Sequence, residues 1–170
     1  HPGPPSRRHA RAADRCPLSH FTGATPFGEC IAISQTGAPT GAYNRYFFQH
    51  STTVMYDYPH LGVWSDGYYA GFNRFNTATG AFLGVSAIVY DRTKMLAGQP
   101  ATYQEKQLGT SNSTLLPSDL DGPTAPPAGA PNYFFNRAAS SINEFKFHVD
   151  WTTTTNTKNG SAPVGTQGTA

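Results

Sequence analysis

The sequence predicts an all-β protein of antiparallel meanders, on three observations. An Asp66-Gly67 pair stands between two apolar and aromatic runs, the short-range pattern of a tight hairpin. A type I′ turn there needs positive φ at both central residues, which Asp and Gly tolerate. Val85-Ser-Ala-Ile-Val-Tyr90 then supplies a third strand beside the hairpin. Composition agrees: 17 Gly, 14 Pro and 13% aromatic residues against 13% charged suit short strands joined by turns, while the helix-favouring Leu, Lys and Glu are scarce.

Taken in order, residues 1–13 (HPGPPSRRHARAA) read as a disordered basic arm, because three prolines and an Arg cluster offer no apolar period to bury. Strands are expected at Leu18–Thr22, Glu29–Ser34, Tyr43–Gln49, His60–Ser65, Tyr68–Phe75, Phe82–Tyr90, Tyr103–Leu108, Asn132–Asn136 and Ile142–Asp150. Gly, Pro, Asn and Thr punctuate them at residues 36–41, at Asp66-Gly67 and at residues 77–80. One short helix is expected over Arg92–Ala97, capped by Asp91 and stopped by Gly98 and Pro100. Five prolines make Pro117–Pro131 an irregular excursion, and the Thr, Asn, Gly and Ser of residues 152–170 read as a linker.

The β-rich span therefore runs over residues 14–151. Propeller blades take about 40 to 50 residues each, so this span holds about three, and a closed propeller needs at least about four. The expected architecture is an incomplete β-propeller of about three blades, whose partners are the remaining blades or domains of a longer polypeptide. The alternative is a β-sandwich of about seven to nine strands.

Charge narrows the partners. Arg7, Arg8, Arg11 and Arg15 against Asp14 give the first fifteen residues a net +3, which leaves 8 basic and 9 acidic side chains on the remainder. A nucleic-acid partner would need a basic face on the folded part, and the sequence offers none. No run approaches the roughly 18 apolar residues of a membrane span. The chain begins with His and carries no apolar leader, so its start is expected to have been removed or to lie further upstream in a longer polypeptide.

Several segments resemble one another's counterparts in a known group. Glu29-Cys-Ile-Ala-Ile-Ser34, Asp57-Tyr-Pro-His-Leu-Gly-Val-Trp-Ser-Asp-Gly-Tyr-Tyr69, Asp91-Arg-Thr-Lys-Met-Leu-Ala-Gly-Gln-Pro100, Leu115-Leu-Pro-Ser-Asp-Leu-Asp-Gly122 and Phe145-Lys-Phe-His-Val-Asp-Trp151 carry the likeness. Together they resemble large, mostly uncharacterised secreted bacterial proteins with propeller-like repeats. The resemblance implies export to the extracellular space and a β-rich fold, and brings no mechanism with it. The chain departs from that pattern at Asp14-Arg15-Cys16-Pro17-Leu18, where a proline demotes the strand to an edge, and at Ser86, where such proteins often have Cys.

Few residues suggest chemistry. Cys16 and Cys30 are too far apart in sequence for a Cys-x-x-Cys site; a disulfide and two free thiols are both open. The six histidines form no metal-ligand pair, and His148 falls on the solvent side of an alternating strand. Asp119 and Asp121, before Gly122, are the candidate metal ligands, for a hard ion such as Ca²⁺; a turn in which they accept backbone N–H bonds is the competing reading. A glycoside hydrolase needs two carboxylates about 5 to 10 Å apart, and once turns, caps and alternation absorb the other acids, Glu29 and Asp57 remain. Asp57, Tyr58, Trp64 and Tyr69, in the aromatic meander, are the candidate ligand-binding residues, since exposed rings stack on sugars or apolar partners. The expected function is a non-catalytic extracellular module for scaffolding, adhesion or contact with glycans or surface proteins. The alternative is a fragment of a propeller-type glycoside hydrolase.

Overall fold

A computed structural model describes the backbone of residues 10–12, 26–38, 40–121 and 124–163, with side chains except in 10–12, at 156 and in 158–163. Among the described residues, eleven strands run in chain order: β1 (Ala10–Ala12), β2 (Phe27–Ser34), β3 (Tyr43–Ser51), β4 (Val54–Val63), β5 (Tyr68–Asn76), β6 (Phe82–Tyr90), β7 (Tyr103–Leu108), β8 (Leu116–Pro117), β9 (Asn132–Arg137), β10 (Ile142–His148) and β11 (Lys158–Pro163). A helix α1 (Arg92–Leu96) lies between β6 and β7. The described residues form three antiparallel sheets, β1-β2-β3, β4-β5-β6-β7 and β8-β9-β10-β11, each cut from one continuous stretch of chain. The expectation of an all-β protein built from antiparallel meanders holds.

The second sheet is the middle layer. On one face, Tyr68, Ala70, Phe72, Ile88 and Tyr90 pack against Ile31, Ile33 and Phe48 of the first sheet. On the other, Tyr69, Val85, Ala87 and Val89 pack against Leu115, Phe134, Phe145, Phe147 and Val149 of the third. A strand buried on both sides carries a near-continuous apolar run, which is why Val85–Tyr90 shows no alternation. Close backbone approach locks the second layer to the third: a Cβ at Gly71 would lie 2.0 Å from the Leu115 carbonyl oxygen.

Local chemistry sets the connections. Asp91 caps α1 as expected, its Oδ1 accepting from the Lys94 N–H at 3.1 Å. Asn76 folds its side chain over the next turn and accepts from the Ala78 and Thr79 N–H groups, each at 3.0 Å. The hairpin around Asp66-Gly67 joins Val63 to Tyr68, but not through a type I′ turn, because neither central residue has positive φ. Gly67 is required there for space: a Cβ would stand 2.2 Å from Val89 Cγ2.

Three segments differ from the sequence reading. Strand β4 begins at Val54, six residues earlier than expected, because a register shift between Asp57 and His60 breaks the alternation that marks a strand. Pro59 is tolerated inside it because β4 is the edge of its sheet. Ala10–Ala12, in the segment read as a disordered arm, pairs with β2. Lys158–Pro163, in the segment read as a linker, pairs with β10 as the outer strand of the third sheet. Edge pairing uses backbone groups and needs no apolar period, so neither strand leaves a mark in the side-chain pattern. The strand expected at Leu18–Thr22 lies outside the described residues. No described helix is long and apolar enough to cross a membrane.

Candidate functional site

Two constellations stand out, one between the first and second sheets and one on the outer face of the third. The inner one gathers side chains at one end of the layer. His50, on β3, sits among the rings of Tyr56, Phe72 and Tyr103 at centroid distances of 4.7, 5.4 and 5.0 Å, each plane tilted steeply to its own. Its Nε2 lies 3.1 Å from the Tyr90 hydroxyl. Beside these rings, Glu105 Oε1 accepts from Tyr56 Oη (2.8 Å), Ser86 Oγ (2.5 Å) and Gln107 Nε2 (3.2 Å).

Glu29 reaches the same cluster from β2, on the face that carries Ile31 and Ile33. Burial pushes its carboxyl up to about 7 from 4.5. Both Glu29 and Glu105 act on buried Tyr90, whose hydroxyl is raised first by its own burial and then by the Glu29 charge. The acid that accompanies Glu29 is therefore Glu105, and not Asp57, which is exposed on the β4 bulge. Alternation along Tyr103–Leu108 puts Tyr103, Glu105 and Gln107 on one side, a signal that was legible, but only the register Ile88↔Glu105 brings Glu105 to this layer.

The sequence-predicted ligand residues do not form one surface. Tyr69 is fully buried, its hydroxyl donating to Asp66 Oδ1 at 3.0 Å and its ring meeting Phe134 and Phe147 edge-on. It cannot touch a ligand, and its assignment as a contact residue is corrected. Trp64 is half-buried against the same core, with Nε1 donating to the Ala130 carbonyl. Asp57 and Tyr58 are exposed, Tyr58 at 56% with φ of 57°, and Asp57 Oδ1 accepts the Tyr58 N–H. Of the proposed metal ligands, Asp119 accepts the Val63 N–H at 2.7 Å and Asp121 is exposed. No group of three metal-ligating side chains occurs among the described residues. Cys30 is disulfide-bonded; Cys16 lies outside the described residues. Ser86 donates its hydroxyl to Glu105.

The outer constellation is one the sequence did not announce. A concavity of about 1040 Å³ opens on the solvent face of the third sheet, lined by Thr114, Leu116, Phe135, Arg137, Ile142 and Glu144, with the turn at residues 138–141 as one wall. Ile142 is 58% and Leu116 45% exposed, although β10 buries Phe145 and Phe147 on its other face. Thr114 sits on the rim with φ of 50°, a strained conformation for a β-branched residue. Its N–H donates to Asn73 Oδ1 at 2.9 Å, and this bond to the second sheet holds the strained segment where the chain enters β8. A large, mainly apolar hollow with a few charged groups is the usual form of a binding surface.

No family model, no curated protein and no solved structure matches this chain.

Proposed function

We propose that this chain is a non-catalytic, extracellular module of a propeller-like stack of sheets, acting by contact through the outer face of its third sheet. The observation that carries the reading is the uncovered apolar surface of Leu116 and Ile142 around the concavity. Exposed patches of this kind accompany binding. Three meander sheets stacked in chain order favour propeller blades over a sandwich, which has two layers. The disulfide at Cys30 favours an oxidising compartment and hence export. Phe135, Arg137 and Glu144 suit a glycan or a protein surface, offering a ring for stacking and one charge of each sign.

The test is retention of glycans from an array, or of surface proteins, by the immobilised chain. Binding lost in Leu116→Asp and Ile142→Asp, with the far-ultraviolet spectrum unchanged, is the expected result. Binding indifferent to both substitutions overturns the reading.

A second reading, a glycoside hydrolase fragment, is favoured by one observation. Glu29, raised to about 7, suits a proton donor, and Glu105, held by three donors, is the second carboxyl of the same layer. Turnover of chromogenic glycosides that Glu29→Gln and Glu105→Gln abolish, and Ile142→Asp spares, would put this reading first.

A further inference from the structure

The outer face of the third sheet is complementary to itself. At the hairpin end of β9 and β10 it carries a four-cornered patch set by their register, in which Ile142 faces Arg137 and Glu144 faces Phe135. One diagonal of the patch is apolar, Phe135 and Ile142; the other carries opposite charges, Arg137 and Glu144. Leu116, paired with Phe135 from β8, widens the apolar part.

A two-fold axis laid along the apolar diagonal exchanges the two charged corners. Arg137 of one copy then meets Glu144 of the other, twice, while Phe135 and Ile142 meet their own counterparts on the axis. With strands about 4.8 Å apart and alternate residues about 6.7 Å apart, the strands of the two sheets cross at about 70°. That is the orthogonal mode of sheet packing. A two-fold interface requires this reciprocity, residue i against j and j against i. The same four residues line the concavity, which gives the partner's apolar side chains a place to enter.

Resting on the contact reading above, we infer that the partner at this face is a second copy of the chain, joined in a symmetric dimer through Ile142, Phe135 and two Arg137–Glu144 pairs. The dimer would bury Leu116 and Ile142, the exposed large apolar side chains described in the third sheet.

Light scattering coupled to size exclusion, across loading concentrations up to on the order of 100 µM, decides it. The unmodified chain is expected to be dimeric at the upper end, and Ile142→Asp monomeric with an unchanged far-ultraviolet spectrum. Arg137→Glu and Glu144→Arg alone should each weaken self-association by at least about tenfold, because like charges then face one another. Mixed together, the two variants should form a heterodimer, since an acidic pair of corners then meets a basic pair; a role confined to the fold would not give this. A monomeric unmodified chain, or a mixture of the charge variants that stays monomeric, overturns the dimer. If the monomer still holds a glycan or surface protein through Ile142, the contact reading survives alone; if Ile142→Asp abolishes the dimer but spares that binding, the dimer survives alone.

Discussion

Glu29 makes the layer between the first and second sheets sensitive to protons, and its replacement by Gln measures by how much. The carboxyl stands at about 7 in the folded chain because burial disfavours its charge, against an ordinary value of 4.5. Between those two values the native state holds a proton that the unfolded state has released, so stability falls as pH rises. Below 4.5 both states are protonated and the group contributes no penalty; above 7 the penalty is complete, at about 3 kcal/mol. Gln keeps the volume and hydrogen-bonding capacity of the protonated acid and cannot ionise. Thermal unfolding of the two chains should therefore give matching midpoints near pH 4.5. By pH 8 the Glu29→Gln midpoint should lie about 6 to 12 °C above that of the unmodified chain, at about 2 to 4 °C per kcal/mol for a domain this size. Taking the difference between the two chains removes every other titrating group. A difference that stays flat across this window, or that favours Glu29 as pH rises, would refute the argument that burial controls this carboxyl.

The remaining predictions concern stability. Gly71→Ala should destabilise by about 3 kcal/mol or more, read from denaturant midpoints, because the new Cβ would stand 2.0 Å from a backbone oxygen that cannot move aside cheaply. Ser86→Ala should cost about 1.5 to 3 kcal/mol by the same measurement, since the fully buried hydroxyl donates to the Glu105 carboxylate. Asp91→Ala should cost about 1 kcal/mol through loss of the α1 cap, and Asp91→Asn, which can still accept from Lys94, should recover most of it.

What the sequence made legible followed from side-chain chemistry local to one strand. Phe82–Tyr90 and Tyr103–Leu108 were bounded to the residue, and Asp91 was identified as a cap, because turn residues and apolar runs write these features directly. Features written in the backbone or in the register were hidden. The Asp57–His60 bulge concealed the first half of β4, and β11 pairs through backbone groups in a stretch with little to bury. Tyr69 looked available to a ligand because a strand covered on both faces has no alternation to separate buried from exposed rings. Glu105 was passed over for a related reason. Its own strand shows which side it faces, but the neighbours Ser86 and Tyr56 come from strands 19 and 49 residues away in sequence. The hairpin at Asp66-Gly67 was right in place and wrong in turn type, since the glycine answers to Val89 across the sheet and not to its own φ.

The two faces of the central sheet differ in chemistry, and that difference locates where the molecule should yield first. Toward the third sheet it presents Tyr69, Val85, Ala87 and Val89 to phenylalanines, with Tyr69's hydroxyl satisfied by Asp66 at the margin. Toward the first sheet it presents Tyr56, Ser86, Tyr90 and Glu105, and the facing sheet answers with His50 and Glu29. Ionising Glu29 therefore weakens one interface and leaves the other untouched. Hydrogen exchange, corrected for intrinsic base catalysis, should show β2 and β3 losing protection between pH 5 and 8 by a factor approaching that of the about 3 kcal/mol penalty, roughly a hundredfold. Amides of β9 and β10 should hold theirs, because Glu29 lies on the opposite side of the central sheet from them. Equal loss in both outer sheets would mean that the three layers open as one cooperative unit, and that the polar seam does not divide them.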